Sequence, residues 1–288
     1  MNFLIEPVAD GADLVVTGDW SPAARAALKD GRADGLVLNY ARGFRPQPID
    51  FIEGLPIRRL NLLARSVSDL SPVYSLASSL EDFRVQSDPR AVIELERLPG
   101  LHVLAASWPQ IQGSIMFASQ LESLSVSSYT ESDLNALAPL SALTKLVMKE
   151  RPKQRSLDGI EAFSWLAHLG VHLAQGLEDI EALERAASPT LQVLQLPSCK
   201  KVRDIGPVTS CRSVRFFELS EAAEILTVAP LADLVGLERL YLYGSTTVAD
   251  GDLGPIARLP RLRDFRMVNR RAYVPPIREI QDVITRRG

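Results

Sequence analysis

Three histidines and two cysteines are the residues best suited to metal or nucleophile chemistry in this 288-residue chain. His168 and His172 fall on the same side of one predicted strand. Four residues along a strand span about 13 Å, whereas zinc needs its donors near about 2.0–2.1 Å. The spacing therefore fits two separate contacts to a partner better than one shared ion, and it equally fits two surface histidines. His102 sits at the start of another predicted strand and reads as structural or solvated. Cys199 and Cys211 lack the further Cys or His spacing of a zinc site, so they read as free structural thiols. The chain has no P-loop, no dinucleotide-binding glycine fingerprint and no Gly-x-Ser-x-Gly elbow. Carboxylates are numerous, but nothing in their spacing selects a pair for acid–base work. The expectation is a non-enzymatic protein with no catalytic residues, no metal and no cofactor.

Composition narrows the class. Apolar residues make up 46% and charged residues 23% of the chain, a normal globular balance. A formal charge of −3 and a pI near 5.8 argue against a generic polyanion binder. Two cysteines imply no disulfide framework. Met1 to Val8 lacks the basic and apolar regions of a secretory leader. No apolar run approaches the ~20 residues of a membrane span. These features predict a cytoplasmic protein with no membrane contact.

The elements that must position any site follow from an internal repeat. An apolar residue, two variable residues, an apolar residue, one variable and one apolar recur along the chain. The clear copies are Ile57-Leu60-Leu62, Leu80-Phe83-Val85, Leu101-Leu104-Ala106, Leu121-Leu124-Val126, Leu143-Leu146-Met148 and Leu166-Leu169-Val171. They continue through Leu191-Leu194-Leu196, Val214-Phe217-Leu219, Leu237-Leu240-Leu242 and Leu262-Phe265-Met267. Weaker copies begin at Gly11 and Ala33. The mean spacing is about 23 residues, within the range of a short solenoid repeat. The two apolar residues separated by one lie on the same side of a short strand. One turn cannot cover its own apolar face, but a stack of turns can. The strands should pair in parallel and leave their variable residues facing outward.

The other half of each turn also repeats, as Asp69-Leu70-Ser71-Pro72-Val73, Asp204-Ile205-Gly206-Pro207-Val208 and Asp252-Leu253-Gly254-Pro255-Ile256. Leu137-Ala138-Pro139-Leu140 and Val228-Ala229-Pro230-Leu231 are close variants. Proline suits the first position of a helical turn, where its missing N–H has no partner to lose. These segments predict one-turn helices or 3₁₀ turns, with longer helices at Leu177–Ala187 and Ala91–Leu98.

The Leu-x-x-Leu-x-Leu core followed by Asp-Leu-x-Pro-Leu resembles bacterial leucine-rich repeats of the internalin and phosphatase-regulator types. The resemblance covers roughly residues 11–270. The run from Val248 to Pro255, continuing through Asn269 to Tyr273, is similar to the end of free-standing bacterial leucine-rich-repeat proteins. The resemblance implies an α/β horseshoe-shaped solenoid. A parallel concave sheet, short convex helices or 3₁₀ turns and helical caps would make it up. One feature departs from the family: its asparagine ladder is almost missing, and Arg65, Asp88, Pro109, Tyr129, Cys199 and Ser245 occupy that position. The expected organisation is one domain over 1–288. It has an N-terminal cap and first turn at 1–32, repeats at 33–271 and a capping helix at 272–288. Ser21-Pro22 should start a helix running to about Lys29. Ile277, Ile280, Val283 and Ile284 share one helical face at the other end.

The register predicts which side chains face outward. Along this strip lie Arg59, Arg84, Trp108, Lys145, Lys149, His168, His172, Gln195, Glu218, Arg239, Tyr241, Tyr243 and Arg266. Asn61, Asp82, Gln86 and a serine patch at Ser123, Ser125, Ser127 and Ser128 accompany them. Aromatic and Arg residues are typical interface anchors, so Trp108, Tyr241 and Tyr243 stand out; packing against a neighbouring turn is the competing reading for each. Charge changes sign from Lys145–Lys149 to Glu218–Glu221, which favours a protein partner over a polyanion. The expectation is a monomeric protein-interaction module, with an inhibitor or immunity role as its narrower form. A nucleic-acid partner remains the alternative. It would use the exposed loop 149–155 and the C-terminal arginines Arg258, Arg261, Arg263, Arg266, Arg270 and Arg271.

Overall fold

The computed structural model describes residues 2–45, 48–186 and 189–287. The chain divides into two compact units, Met1–Ser125 and Val126–Gly288.

The first unit opens with an antiparallel hairpin, β1 (Phe3–Val8) on β2 (Gly11–Val16), paired from Phe3↔Val16 to Val8↔Gly11. Gly11 takes φ +106° at the corner, a conformation a side chain disfavours. Helix α1 (Pro22–Lys29) follows as expected: the Ser21 hydroxyl accepts from the Ala24 N–H at 3.2 Å, and proline stands in the first turn. Ala24, Ala27 and Leu28 lie on one helical face and are buried. Strands β3 (Gly35–Asn39), β4 (Arg59–Leu63), β5 (Asp82–Gln86) and β6 (Val103–Ser107) then pair in parallel, each with its chain neighbour. The register aligns Leu14, Leu36, Leu60, Phe83 and Leu104 in one buried row. A four-residue helix, α2 (Trp108–Ile111), leaves β6. Strand β7 (Ser123–Ser127) contains the division between the units.

In the second unit, β8 (Lys145–Lys149), β9 (His168–Val171), β10 (Val193–Gln195) and β11 (Phe216–Glu218) repeat the arrangement. A two-residue strand, β12 (Glu224–Ile225), comes before β13 (Arg239–Leu242) and pairs with β14 (Thr247–Val248). Helix α3 (Gly254–Ala257), strand β15 (Asp264–Met267) and helix α4 (Ile277–Arg287) complete the unit. Leu146, Leu169, Leu194, Phe217, Leu240 and Phe265 form its aligned row, each at most 5% exposed. Every residue of the clear Leu-x-x-Leu-x-Leu copies is buried. Alternation along each strand puts the remaining side chains on the opposite face.

The turns opposite the strands are 3₁₀ or single α turns. Aspartate starts many of them by the same bond. Asp69, Asp133, Asp179, Asp204 and Asp252 each accept, through Oδ1, the N–H two residues on, at 2.7–2.9 Å. Prolines 72, 207, 230 and 255 stand second in their helical turns, one place later than expected but still where an N–H has no partner to lose. The longer helices expected at Ala91–Leu98 and Leu177–Ala187 are corrected. The helical parts there are Leu95–Arg97 and Glu181–Glu184, both 3₁₀; Ala187 lies outside the described residues. Pro99 disfavours helical backbone at Leu98, and a repeat near 23 residues leaves little chain after its strand and bends.

Several polar groups stand in for the asparagine ladder. The Tyr129 hydroxyl donates to the Asp133 carbonyl at 2.8 Å, the Cys199 thiol to the Val171 carbonyl at 3.3 Å, and the Thr246 hydroxyl to the Leu219 carbonyl at 2.8 Å. The Gln110 amide donates to the Asp88 carbonyl at 3.2 Å. The backbone also turns left-handed two residues past the last core residue of successive strands. Ser128, Glu150, Leu173, Ser198 and Glu221 have φ between 50° and 63°, and Gly244 has φ 73°. This twist extends the ladder one step, since Leu173 N–H reaches the Pro197 carbonyl and Ser198 N–H the Ser220 carbonyl, at 2.9 and 2.7 Å.

Helix α4 begins after Pro275–Pro276, and its Ile277 and Ile280 are buried while Val283 and Ile284 are half-buried. Arg287 Nη1 donates to the Leu259 carbonyl at 2.6 Å, tying the helix to the chain after α3. Gly288 lies outside the described residues.

Candidate functional site

In the first unit the sheet face opposite the core carries a charged cluster centred on Arg59. Its guanidinium donates five bonds: to Asp13 Oδ1 at 3.1 Å, to both Asp34 oxygens at 2.5 and 2.9 Å, and to the carbonyls of Asp10 and Ala12 at 2.6 and 3.2 Å. That uses every N–H the side chain has. Two glycines make the room. A Cβ on Gly35 would lie 2.0 Å from Asp13 Oδ1, and one on Gly11 2.3 Å from Asp34 Oδ1. Burial works against the Asp34 carboxylate, but Arg59 and the Ala12 N–H outweigh it and hold its pKa below the ordinary range. Arg59 is thus a structural clamp more than an open contact. Arg84 is exposed and bound bidentately to Asp82 of its own strand, at 3.0 and 2.8 Å. A cleft of about 440 Å³ lies alongside, lined by Val8, Asp10, Arg58, Arg84 and His102. Its basic side chains already have carboxylate neighbours: Arg58 with Glu81 at 2.8 Å and His102 with Glu122 at 3.5 Å.

Trp108, expected on this outward strip, is 2% exposed and is corrected. It starts α2, so the strand alternation that predicted its direction ends one residue before it.

The second unit carries the richer face. Arg239 lies over the Phe216 ring at 4.5 Å, Phe216 meets Tyr241 edge-on at 4.9 Å, and Arg266 lies over Tyr241 at 4.4 Å. Tyr243 follows at 6.2 Å from Tyr241 and is 40% exposed. The Tyr241 hydroxyl donates to Asp264 Oδ2 at 2.5 Å, which raises the phenol pKa. Burial opposes the Asp264 charge, yet the Tyr241 bond and Arg266 hold that carboxyl below its usual range. Phe216, Asp264 and Ser220 were not singled out in the sequence. Phe216 and Asp264 sit on strands, and Ser220 lies two residues past β11; nothing else in their sequence context marks them.

A second network runs across three strands. His168 Nε2 lies 3.1 Å from Gln195 Oε1, and Gln195 Nε2 donates to Glu218 Oε2 at 2.7 Å. Ser220 and Tyr243 hydroxyls donate to Glu218 Oε1 at 2.7 and 3.5 Å. Glu218 belongs to this face but is 7% exposed, a correction to its expected accessibility. The neighbouring strands β10 and β13 and its three donors enclose it. Lys145 and Lys149 are exposed, and His168, His172 and Gln195 are half-buried.

Burial, then Lys145, pushes the His168 pKa down against the Gln195 bond. Burial likewise lowers that of His172, with Glu218 opposing and Lys149 adding to the shift. Burial pushes the Cys199 thiol up to about 12 and the Cys211 thiol to about 11, so neither is an activated nucleophile. Among the described residues no three His, Cys, Asp or Glu gather as metal ligands.

The loop 149–155, expected to be exposed, is corrected in part: Pro152 and Gln154 are buried, while its basic side chains are open. Lys149, Arg151, Lys153 and Arg155 are exposed, as are Arg261, Arg263, Arg270 and Arg271. No described helix is long and apolar enough to cross a membrane.

No family model and no curated protein sequence matches the chain. Solved structures do. An internalin, inlF from Listeria monocytogenes, is similar over 90% of this chain and 83% of its own, with TM-score 0.63 and 16% identity. The TLR13 chain of a TLR13–ssRNA13 complex is similar over 82% of this chain and 39% of its own, with TM-score 0.56 and 16% identity. A chain of the mouse RP105/MD-1 complex is similar over 73% of this chain and 38% of its own, with TM-score 0.50 and 16% identity. The likeness at these identities is one of fold, and that fold is the leucine-rich-repeat solenoid.

Proposed function

We propose that this leucine-rich-repeat chain is a non-enzymatic protein-interaction module that takes a partner protein on the sheet face of its second unit. The observation that carries the reading is the ladder of Arg239, Phe216, Tyr241, Arg266 and Tyr243. Stacked arginines and tyrosines on a hydrogen-bonded sheet offer large contact area with little side-chain freedom left to lose. Such residues are the usual anchors of protein interfaces. The RP105/MD-1 structure, a complex of two proteins, lends the fold-level analogy. In its narrower form the module is a cytoplasmic bacterial inhibitor or immunity-type protein that works as a monomer and a single domain.

The test is capture of a partner from native lysate, followed by the same capture with Tyr241→Ala/Tyr243→Ala. The double variant should lose at least about tenfold in recovery, as removal of two anchor residues costs. Equal recovery would remove this face from consideration.

A nucleic-acid partner is favoured by one observation, the exposed arginines at 261, 263, 270 and 271 together with the loop 149–155. Its retention on immobilised RNA would fall steeply with salt. Failure to bind at low salt would end it.

A further inference from the structure

Gly170 is the centre of an arrangement that the strand spacing alone hides. It lies between His168 and His172 on β9, and opposite Val147 on β8. Having no side chain, it lets both imidazoles lean over it. A Cβ at Gly170 would be 3.0 Å from His172 Nε2 and 3.6 Å from His168 Nε2. The backbone separation of the two histidines is thus not the separation of their rings. Lys145 is paired with His168 across the two strands. His172 N–H bonds to the Met148 carbonyl at 2.9 Å, which places Lys149 beside His172. Both lysines are exposed, and no described carboxylate pairs with either. Two strands therefore bring two exposed lysines beside two imidazoles, whose rings cover the buried Gly170.

We propose that Lys145, Lys149, His168 and His172 form an anion-binding notch over Gly170 that takes a carboxylate from an acidic segment of the partner protein. This rests on the reading of the second unit's sheet face as a partner site. A carboxylate rather than a polyanion fits because the sign of charge reverses within two strands. The Glu218 carboxylate is buried two strands away, Asp264 lies further on, and Glu221 follows β11. A continuous phosphate backbone laid across the strands would meet those charges, whereas a short acidic run would not.

The notch couples binding to proton uptake. The charged and titratable groups facing the imidazoles are Lys145 and Lys149 on β8, Glu218 on β11 and, for His168, the His172 ring itself; β10 offers the uncharged Gln195. Without an anion, burial and the lysines favour neutral imidazoles. An arriving carboxylate offsets the lysine charge and favours the imidazolium, so each histidine takes up a proton as the anion binds. Affinity accordingly rises as pH falls through the histidine range.

The test uses the full chain, whose three histidines make assignment by His168→Asn and His172→Asn direct. Side-chain ¹H–¹⁵N spectra are followed against pH, with and without a hexaglutamate peptide at low salt. The peptide should move both imidazole midpoints upward and bind more tightly at pH 6 than at pH 7.5. Lys145→Gln/Lys149→Gln, two exposed changes that leave the core intact, should raise both midpoints in the free protein. It should also weaken peptide binding by at least about tenfold. Midpoints unmoved by the peptide, or equal affinity in the lysine variant, would overturn the notch. If partner capture depends on Tyr241 and Tyr243 but survives the lysine change, the notch fails and the partner face stands. Lysine-dependent peptide binding with tyrosine-independent capture upholds the notch and removes the ladder as the contact.

Discussion

At the residue scale the first unit is governed by one arginine. Arg59 spends five donors on two carboxylates and two carbonyls, and its side chain is 21% exposed. Lysine keeps the charge but offers three donors on a tetrahedral head and no planar fork. Arg59→Lys should leave one of Asp13 and Asp34 short of a donor and cost about 1–3 kcal/mol in urea unfolding, the scale of leaving a partly buried acceptor unsatisfied. A loss under about 0.5 kcal/mol would mean the clamp is an ordinary surface pair. The sequence placed Arg59 on the correct face, because period two along a strand fixes the side. It did not place Asp13 and Asp34 around it, since they lie 46 and 25 residues away, on β2 and just before β3. The same limit hid the fate of Glu218, on the expected face but sealed by Ser220, Tyr243 and Gln195. Trp108 failed differently, by lying one residue past the strand whose alternation was used to orient it.

At the element scale the strands were legible to the residue in their apolar positions, because each must bury a pair of side chains separated by one. The Asp–x–N–H turns were legible too, since aspartate and proline act there through local bonds. The bend that follows each strand was not. Its left-handed residue is glycine only at Gly244; elsewhere it is Ser128, Glu150, Leu173, Ser198 or Glu221, none of which announces that backbone. A left-handed residue with a side chain costs about 1–2 kcal/mol. Leu173 is the clearest instance, with φ 63° and 42% exposure, so its side chain returns little by burial. Leu173→Gly should raise stability by about 0.5–1 kcal/mol after glycine's own entropy cost. The N–H of residue 173 remains to bond the Pro197 carbonyl. Urea midpoints of the two proteins check this, and a destabilised glycine variant would show that packing holds the bend.

At the scale of the whole molecule the sheet has to be protected where its pairing stops. In the second unit α4 packs against β15 and buries Ile277 and Ile280. In the first unit β1 is the edge: among the described residues no strand pairs with its outer side. Composition gave no sign of β1, a strand outside the repeat, but Pro7 within it has a clear physical role. The Thr17 N–H bonds to the Asn2 carbonyl at 2.8 Å, and the antiparallel register then turns the polar backbone of Leu4, Glu6 and Val8 toward β2. Phe3, Ile5 and Pro7 turn theirs to the open edge. Proline has no N–H to offer there, so the row of donors that would template another strand is interrupted. Leu4 and Val8, 53% and 40% exposed, would otherwise favour such pairing. Pro7→Val restores the donor and adds a strand-forming side chain, while Pro7→Lys restores the donor with a charge that opposes pairing. The valine variant should form a two-fold, edge-to-edge dimer whose light-scattering mass rises with concentration, and the lysine variant should run as the unmodified protein does. Identical masses for all three across a hundredfold concentration range would show that Pro7 does not guard the edge. A dimer of the lysine variant alone would also count against it, since the added charge opposes pairing.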